Sequence, residues 1–282
     1  MSKAAKRRRR RIIPKLLLLL IFVTAILLFD SNTRLVTTEY ELRYDNLPAA
    51  FDGYRIVVLS DIHASEHGRD NGRLISRVRD AAPDIIAVTG DLIDSDDQLE
   101  IVETLMTGLA GIAPVYYITG NHEWDSGGIR PLLELLPELG VTVLRNNYVR
   151  LESGGSTIIL AGTDDPNGPA DMIKPAEFVD KIYSNEGNPF IVMLEHRNNH
   201  LGLYSSLGVD LVICGHAHGG IIRLPFTDGL VGPSREWFPT FTNGIYEQGD
   251  TKMLVSRGVG NHTGYPRFLN NPHIAVAVLK TA

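Results

Sequence analysis

An α/β fold with strands buried on both faces is predicted by three observations. Short apolar runs recur along the chain, helix-length stretches separate most of them, and the runs are continuously apolar rather than alternating. The composition agrees, since 44% hydrophobic and 21% charged residues is ordinary globular usage. It excludes a disordered tail, a collagen-like rod and a coiled coil. A length of 282 residues allows one or two domains. No internal repeat, low-complexity linker or second hydrophobic nucleus divides the chain, so a single domain over 35–282 is expected.

The first element stands apart from that body. Residues 1–15 form a basic head with eight Lys or Arg (Lys3, Lys6, Arg7 to Arg11 and Lys15) and no acid. Residues 16–29 come next, fourteen positions of which only Thr24 is polar. As a helix they span about 21 Å, short of a ~30 Å hydrocarbon core. Adding 12–14, with Lys15 snorkelling, brings the span to about 27 Å. The preferred reading is an uncleaved transmembrane or signal anchor. A cleaved signal peptide is second, although 29–34 has no small-x-small cleavage site. Arg10-Arg11 ahead of the leucine block also permits a twin-arginine export signal. A buried core helix is disfavoured, because five consecutive arginines would sit beside it. Only Arg34 and Arg43 occur within 30–45, so the positive-inside rule places the head in the cytoplasm and the body outside.

Eight of the 27 basic side chains lie in the head, which leaves 19 against 33 acidic ones and a net charge of −14 for the body. Such a body repels polyanions, and general nucleic-acid binding is not expected. A single cysteine, Cys214, excludes an intramolecular disulfide and any multi-cysteine metal site. In an apolar strand it reads as inert packing.

Within the body, 35–44 alternates loosely and reads as a first strand beside the membrane. Apolar runs at 55–60, 84–89, 115–119, 141–144, 157–161, 190–194 and 210–214 read as buried strands. Helices are expected near 70–81, 98–110, 129–139, 175–184 and 199–206. Strand-like 253–257 and 274–279 close the chain without helices between them.

The functional signal lies in the residues just past each strand. Ser60 leads into Asp61-Ile62-His63, Thr89 into Gly90-Asp91, and Thr119 into Gly120-Asn121-His122-Glu123. Leu194 leads into Glu195-His196, and Cys214 into Gly215-His216-Ala217-His218. Strand C-termini are where open α/β sheets assemble ligand crevices, and the recurring glycines permit tight turns there. Taken alone, a Gly-Asp is usually a turn and an Asp-x-His or His-x-His usually a surface feature. Together, Asp61, His63, Asp91, Asn121, His196, His216 and His218 make seven N/O ligands at strand exits. That is enough for two metal ions sharing a bridge. Carboxylate, amide and imidazole donors without thiolate suit Mn²⁺, Fe or Zn²⁺.

These blocks resemble the calcineurin-like metallophosphoesterase superfamily, whose pattern is D-x-H, G-D, G-N-H-[ED], a solitary His and G-H-x-H. All five occur in order, and the resemblance covers about 55–279. Gly219-Gly220-Ile221-Ile222-Arg223-Leu224-Pro225 and Val255-Ser256-Arg257-Gly258 are similar to the bacterial membrane-associated branch. That branch usually has Ser or Thr before the solitary His and Pro two residues after it; here Glu195 and Asn198 stand there. The resemblance implies a four-layer α-β-β-α sandwich behind the N-terminal helix. It implies one cation on Asp61, His63 and His218, another on Asn121, His196 and His216, and Asp91 between them. His122 would protonate the leaving oxygen or stabilise the transferring phosphoryl group. Two cations ~3.5–4 Å apart can share a hydroxide nucleophile and clamp phosphate oxygens.

The expectation is therefore a membrane-anchored dinuclear metal phosphohydrolase acting outside the cytoplasm on a phosphomonoester, phosphodiester or pyrophosphate. A phosphodiester or lipid-linked phosphate substrate is favoured, because an anchor keeps the site near the bilayer. Some relatives cleave a nucleotide-linked lipid precursor at the cytoplasmic face, which conflicts with the expected topology. A non-catalytic receptor or scaffold on the same fold would have lost ligands, and a metal-storage protein would not need His122. Since imidazoles must be neutral to coordinate, metal loss is expected as pH falls through about 6. Asp164 and Asp165 are expected either beside the ligands or in a solvated turn. His200, His262 and His273 are read as structural or exposed. Arg197, Arg223 and Arg257 are candidates for contacting substrate phosphate.

Overall fold

A computed structural model gives the backbone of all residues except 1–2, 127–128, 170–171, 225–226, 234 and 262–263, and the side chains of the rest from residue 12 onward apart from 126. The basic side chains 3–11, Pro225 and His262 lie outside the described residues. Helix α1 (Lys3–Thr33) carries the leucine block, and its apolar span is Ile12–Thr33, 22 residues. At about 33 Å this is long enough to cross a bilayer, and its apolar window is not buried against the body. The helix runs past residue 29 because its polar last turn is bonded to the loop 267–271. Ser31 Oγ accepts the Leu269 N–H at 2.8 Å, and Asn32 exchanges bonds with the Arg267 backbone at 2.9 and 3.0 Å. Asn271 Nδ2 donates to Asp30 O at 2.7 Å.

The chain then alternates as expected through β1 (Val36–Tyr44), β2 (Arg55–Leu59), α2 (Gly72–Asp80), β3 (Ile85–Thr89), α3 (Leu99–Ala110) and β4 (Val115–Ile118). It continues through α4 (Asn121–Ser126), α5 (Ile129–Glu138), β5 (Val141–Val143), β6 (Asn147–Ser153), β7 (Ser156–Gly162), α6 (Pro175–Glu186) and β8 (Ile191–Leu194). The last elements are α7 (Leu201–Ser206), β9 (Leu211–Cys214), β10 (Ile222–Arg223), β11 (Gly229–Val231), β12 (Gly244–Gln248), β13 (Thr251–Val255) and β14 (His273–Thr281). The sequence reading lacks β6 and β10–β12, which are short or half-exposed edge pieces, and α4, which is only six residues long.

Two six-stranded sheets result, in the orders β1-β14-β2-β3-β4-β5 and β12-β13-β9-β8-β7-β6. The centre of each is parallel: β2 to β5 in one, and β7, β8, β9 and β13 in the other. Alternate residues of every central strand feed different cores. Val57, Leu59, Ile86 and Val88 pack outward under Leu74 and Val78 of α2 and Leu105 and Leu109 of α3. Ile56, Val58, Ile85 and Ala87 point inward against Ile158, Leu160, Val192 and Ile213 of the second sheet. Ile159, Ile191, Met193 and Val212 face the other way, under Phe178 and Ile182 of α6 and Tyr204 of α7. Three cores between four layers are the α-β-β-α sandwich, and they explain why the strands read as unbroken apolar runs.

Direction matters for the site. Strand β14 runs antiparallel to β2, and β1 runs parallel to β14. Both β1 and β14 therefore begin at the end where β2, β3 and β4 finish. Helix α1, separated from β1 by two residues, joins the body at that same end.

Strand β1 covers the β14 edge and sends Leu42 and Tyr44 into the inter-sheet core, worth about 1.5–3 kcal/mol for each buried side chain. A chain starting at Arg34 should keep one cooperative thermal transition, and a chain starting at Asn46 should lose it. Cooperative unfolding of the shorter chain, measured by circular dichroism, would contradict this packing.

Candidate metal centre

The strand exits turn sharply. Asp61, His63, Asp91, His216 and His218 all have positive φ, between 47° and 64°. For residues with a Cβ this region costs about 1–3 kcal/mol apiece, a cost that persists only where surrounding structure enforces it. Here neighbouring exits enforce it on one another. The Asp61 N–H donates to Gly90 O at 3.1 Å and the His63 N–H to Asp91 O at 2.9 Å. Glycine is required where exits cross: a Cβ on Gly120 would collide with the Asp91 carboxylate, and one on Gly215 with Ser60 and Asp61.

The side chains meet in two groups. Asp61, His63, Asp91 and His218 bring their donor atoms within 4.8 Å of one another, and so do Asp91, His196 and His216. Asp91 belongs to both. Its Oδ2 is 3.1 Å from His196 Nε2 and 3.8 Å from His63 Nε2. His63 Nε2 and His218 Nε2 are 3.3 Å apart, His196 Nε2 and His216 Nδ1 3.1 Å, and Asn121 Oδ1 lies 3.1 Å from His196 Nε2. Around a cation at about 2.1 Å, neighbouring ligands sit about 3.0–3.4 Å apart. Ring nitrogens aimed at one another at these distances, with carboxylates beside them, fit a pair of cations. All seven residues singled out in the sequence are brought together. Asn121 and His122 open helix α4 rather than occupying a plain turn.

Partners behind the rings fix which nitrogen faces the centre. His196 Nδ1 lies 2.8 Å from Thr89 O, so its proton points there and Nε2 faces inward. His63 Nδ1 is held by Asp94 Oδ1 at 2.7 Å, and the same oxygen is 3.0 Å from His122 Nδ1. Sequence reasoning misses Asp94, because an acid three residues past a Gly-Asp carries no signal alone. Glu123, which the sequence motif leaves without a role, is buried and accepts the backbone N–H groups of Gly120 (2.7 Å), Asp91 (3.1 Å) and Leu92. It locks the second and third exits together.

The other candidates support the ligands rather than joining them. Asp164 and Asp165 are buried, not in a solvated turn. Asp164 accepts from Thr119 Oγ1 and Arg145, and Asp165 grips Arg197 at 2.6 and 3.0 Å. Arg197 Nη1 in turn is 3.2 Å from His216 Nε2. Glu195 binds His200 Nδ1, and Asn198 Nδ2 donates to Phe241 O at 2.8 Å, so both departures from the branch pattern brace the second sheet's exits. Cys214 is buried, and burial pushes its thiol up, out of reactive range.

Electrostatics set the proton inventory. Burial opposes charge on Asp91, but His196 and His63 outweigh it and hold the carboxyl well below its usual range. Burial would likewise lower His196, yet the Asp91 charge lifts it to about 10. Burial and the neighbouring His196 and Arg197 push His216 down to about 3, and burial with His63 depresses His218.

The calcineurin-like phosphoesterase family profile matches residues 54–220. A Bacillus subtilis protein named as an uncharacterized metallophosphoesterase, YkuE, is 31% identical over 251 residues, covering 87% of this chain and 85% of its own. A Danio rerio transmembrane protein with metallophosphoesterase domain is 29% identical over 261 residues, 86% of this chain and 57% of its own. Among solved structures, a dimetal phosphatase from Danio rerio superposes with a TM-score of 0.50 at 11% identity, covering 81% of this chain and 93% of that one. The NAD nucleotidase of Haemophilus influenzae gives 0.50 at 14%, over 73% and 45%. At such identities the structural likeness speaks for the fold.

The proton inventory predicts the pH response of metal binding. His216 and His218 are neutral at pH 7, whereas His196 holds a proton until about 10, above its unfolded value of 6.5. That proton stabilises the metal-free fold below about 6.5, and the stabilisation is lost as pH rises through about 10. Metal uptake at neutral pH must expel it. Apparent affinity should therefore climb by up to about tenfold per pH unit from 7 to 9 in chelator competition. An affinity flat over that range would contradict a protonated His196.

Proposed function

Because the chain belongs to the calcineurin-like phosphoesterase family and is thereby a metal-dependent phosphoester hydrolase, we propose that it is a membrane-anchored dinuclear enzyme cleaving phosphodiester or pyrophosphate bonds of lipid-borne substrates outside the cytoplasm. Asp61, His63 and His218 would hold one cation, Asn121, His196 and His216 the other, and Asp91 both. The observation that carries this assignment is the membership of Asp91 in both donor groups. Cations bound there would neutralise phosphate charge and activate water at neutral pH.

The chain's own part is positioning and proton handling. Hydrolysis forms a bond from water oxygen to phosphorus, breaks the bond to the leaving oxygen, and leaves that oxygen needing a proton. His122 would give it. Its backbone N–H donates to Asp91 Oδ1 at 3.0 Å, and its Nδ1 lies 3.0 Å from Asp94 Oδ1. Burial lowers its basicity, but the hydrogen bond to Asp94 and the charge of Asp91 outweigh this and raise it, favouring the acid form.

A membrane-borne substrate fits the topology. Helix α1 enters the body at the end where the ligand-bearing strands finish. A cleft of about 380 Å³ beside Arg197 and His216 is walled by Trp237 and Phe238, which are 69% and 71% exposed. An exposed tryptophan such as Trp237 suits a membrane interface.

Purified full-length protein reconstituted with Mn²⁺, Zn²⁺ or iron should hydrolyse phosphodiesters. Failure with every metal on every phosphoester would overturn the reading. His122→Ala should lower kcat by roughly 10²–10⁴-fold on alkyl esters, and less on aryl esters such as p-nitrophenyl phosphate, at unchanged metal content. Wild-type turnover of an alkyl ester by the metal-replete variant would remove His122 from the mechanism.

Topology has its own test. Protease added to intact spheroplasts should digest the body, and a reporter fused after Ala282 should be active outside. A reporter active only in the cytoplasm would overturn that placement and favour a lipid precursor at the cytoplasmic face.

A further inference from the structure

Two arginines lie behind the metal-binding residues, Arg267 buried and Arg257 half-buried, and their surroundings differ. Arg267 is 1% exposed, and its guanidinium donates to Gly260 O at 2.6 Å, Arg257 O at 2.8 Å and His218 O at 3.4 Å. Arg257, in the exit after β13, has no such shell. Its Nε is buried, and among the described residues its guanidinium meets no carboxylate and no carbonyl. Arg223 lies across the same stretch of chain. Its Nη1 donates to Gly219 O at 2.9 Å and Thr242 Oγ1 at 3.2 Å, while its carboxylate neighbour, Asp228 at 3.6 Å, is largely exposed. A Cβ on Gly219 would fall 2.8 Å from Arg257 Cγ, so both arginines flank the residue after His218.

His273 completes the group. It opens β14 at the catalytic end and is fully buried. Its Nδ1 faces the Arg257 N–H at 3.5 Å, and its Nε2 has no partner among the described residues. Burial and the positive charges of Arg257, Arg267 and Arg223 keep the ring neutral. With Nδ1 turned to an N–H, the ring proton sits on Nε2. His273 Nε2 and Arg257 Nε are then both buried donors that call for an acceptor, and a half-buried guanidinium without a carboxylate partner favours an anion there.

We propose that Arg223, Arg257 and His273 form a subsite for an oxyanion of the phosphate class, one residue beyond His218 and separate from the metal-binding residues. Guanidinium forks match phosphate oxygens, and two of them beside an imidazole N–H suit a dianion. If the protein is the phosphohydrolase proposed, on which this use rests, the subsite selects substrates carrying a second phosphate. Free phosphate would meet the same donors.

Equilibrium dialysis of full-length, metal-loaded protein against radiolabelled inorganic phosphate tests the subsite itself. Wild type should bind one more phosphate per chain than Arg257→Gln, and equal stoichiometry overturns the proposal. Arg223→Gln, at a partly exposed position, is read the same way should Arg257→Gln fail to fold. Kinetics then separate the sources. For a bisphosphate ester, KM should rise about 10- to 100-fold more than for a monoester in either variant, with Arg257→Lys recovering part of the loss. A lower phosphate count with equal KM changes supports the subsite with free phosphate as its ligand. Absence of any hydrolysis by wild type would sink the hydrolase reading and leave the phosphate count to decide the subsite.

Discussion

A carboxylate buried at the meeting point of two sheets is the constraint on which this molecule turns. Asp91 is almost wholly removed from water, in a body that is acidic overall, and a lone buried carboxylate is strongly unfavourable. Its charge is tolerated because imidazoles from both sheets converge on it: His63 from the first, His196 from the second. The backbone is arranged around the same atom. Gly120 leaves room for the carboxylate, and the His122 N–H and the Glu123 clamp hold its loop. Remove the charge, and the reason for five strained strand exits disappears with it.

The sandwich supplies what that arrangement consumes. Left-handed φ at five non-glycine exits totals several kcal/mol of local strain. Three apolar cores offset it, and they also register the sheets so that the parallel strands of both finish at one end. Strand direction places α1 at this end too. Its last turn bonds the loop from which Arg267 reaches the His218 carbonyl, so the end of the apolar helix, the candidate ligand loops and the aromatic cleft wall share one side of the protein.

Much of this is legible in the sequence for a physical reason. Strands buried on both faces must be apolar throughout, so the polar residue that ends each one stands out, and Asp61, His63, Asp91, Asn121, His196, His216 and His218 all stand at such ends. The features that stay hidden lack that contrast. Asp94 and Asp165 are ordinary acids in loops, and only three-dimensional proximity gives them His63, His122 and Arg197 as partners. Strand β6 pairs with β7 across Gly154-Gly155, yet it is an edge with mixed burial and no apolar run. The first helix extends beyond its apolar run because its last turn is polar, and those polar groups are matched by 267–271, far along the chain.

Asp91, shared by both donor groups, would serve two cations at once. X-ray absorption on the manganese- or zinc-loaded protein measures this directly. Two ions per chain and a metal–metal scattering shell at about 3.5–4 Å are expected, the shell abolished in Asp91→Asn while imidazole scattering persists. Two ions with no such shell, or an unaltered shell in Asp91→Asn, would contradict it.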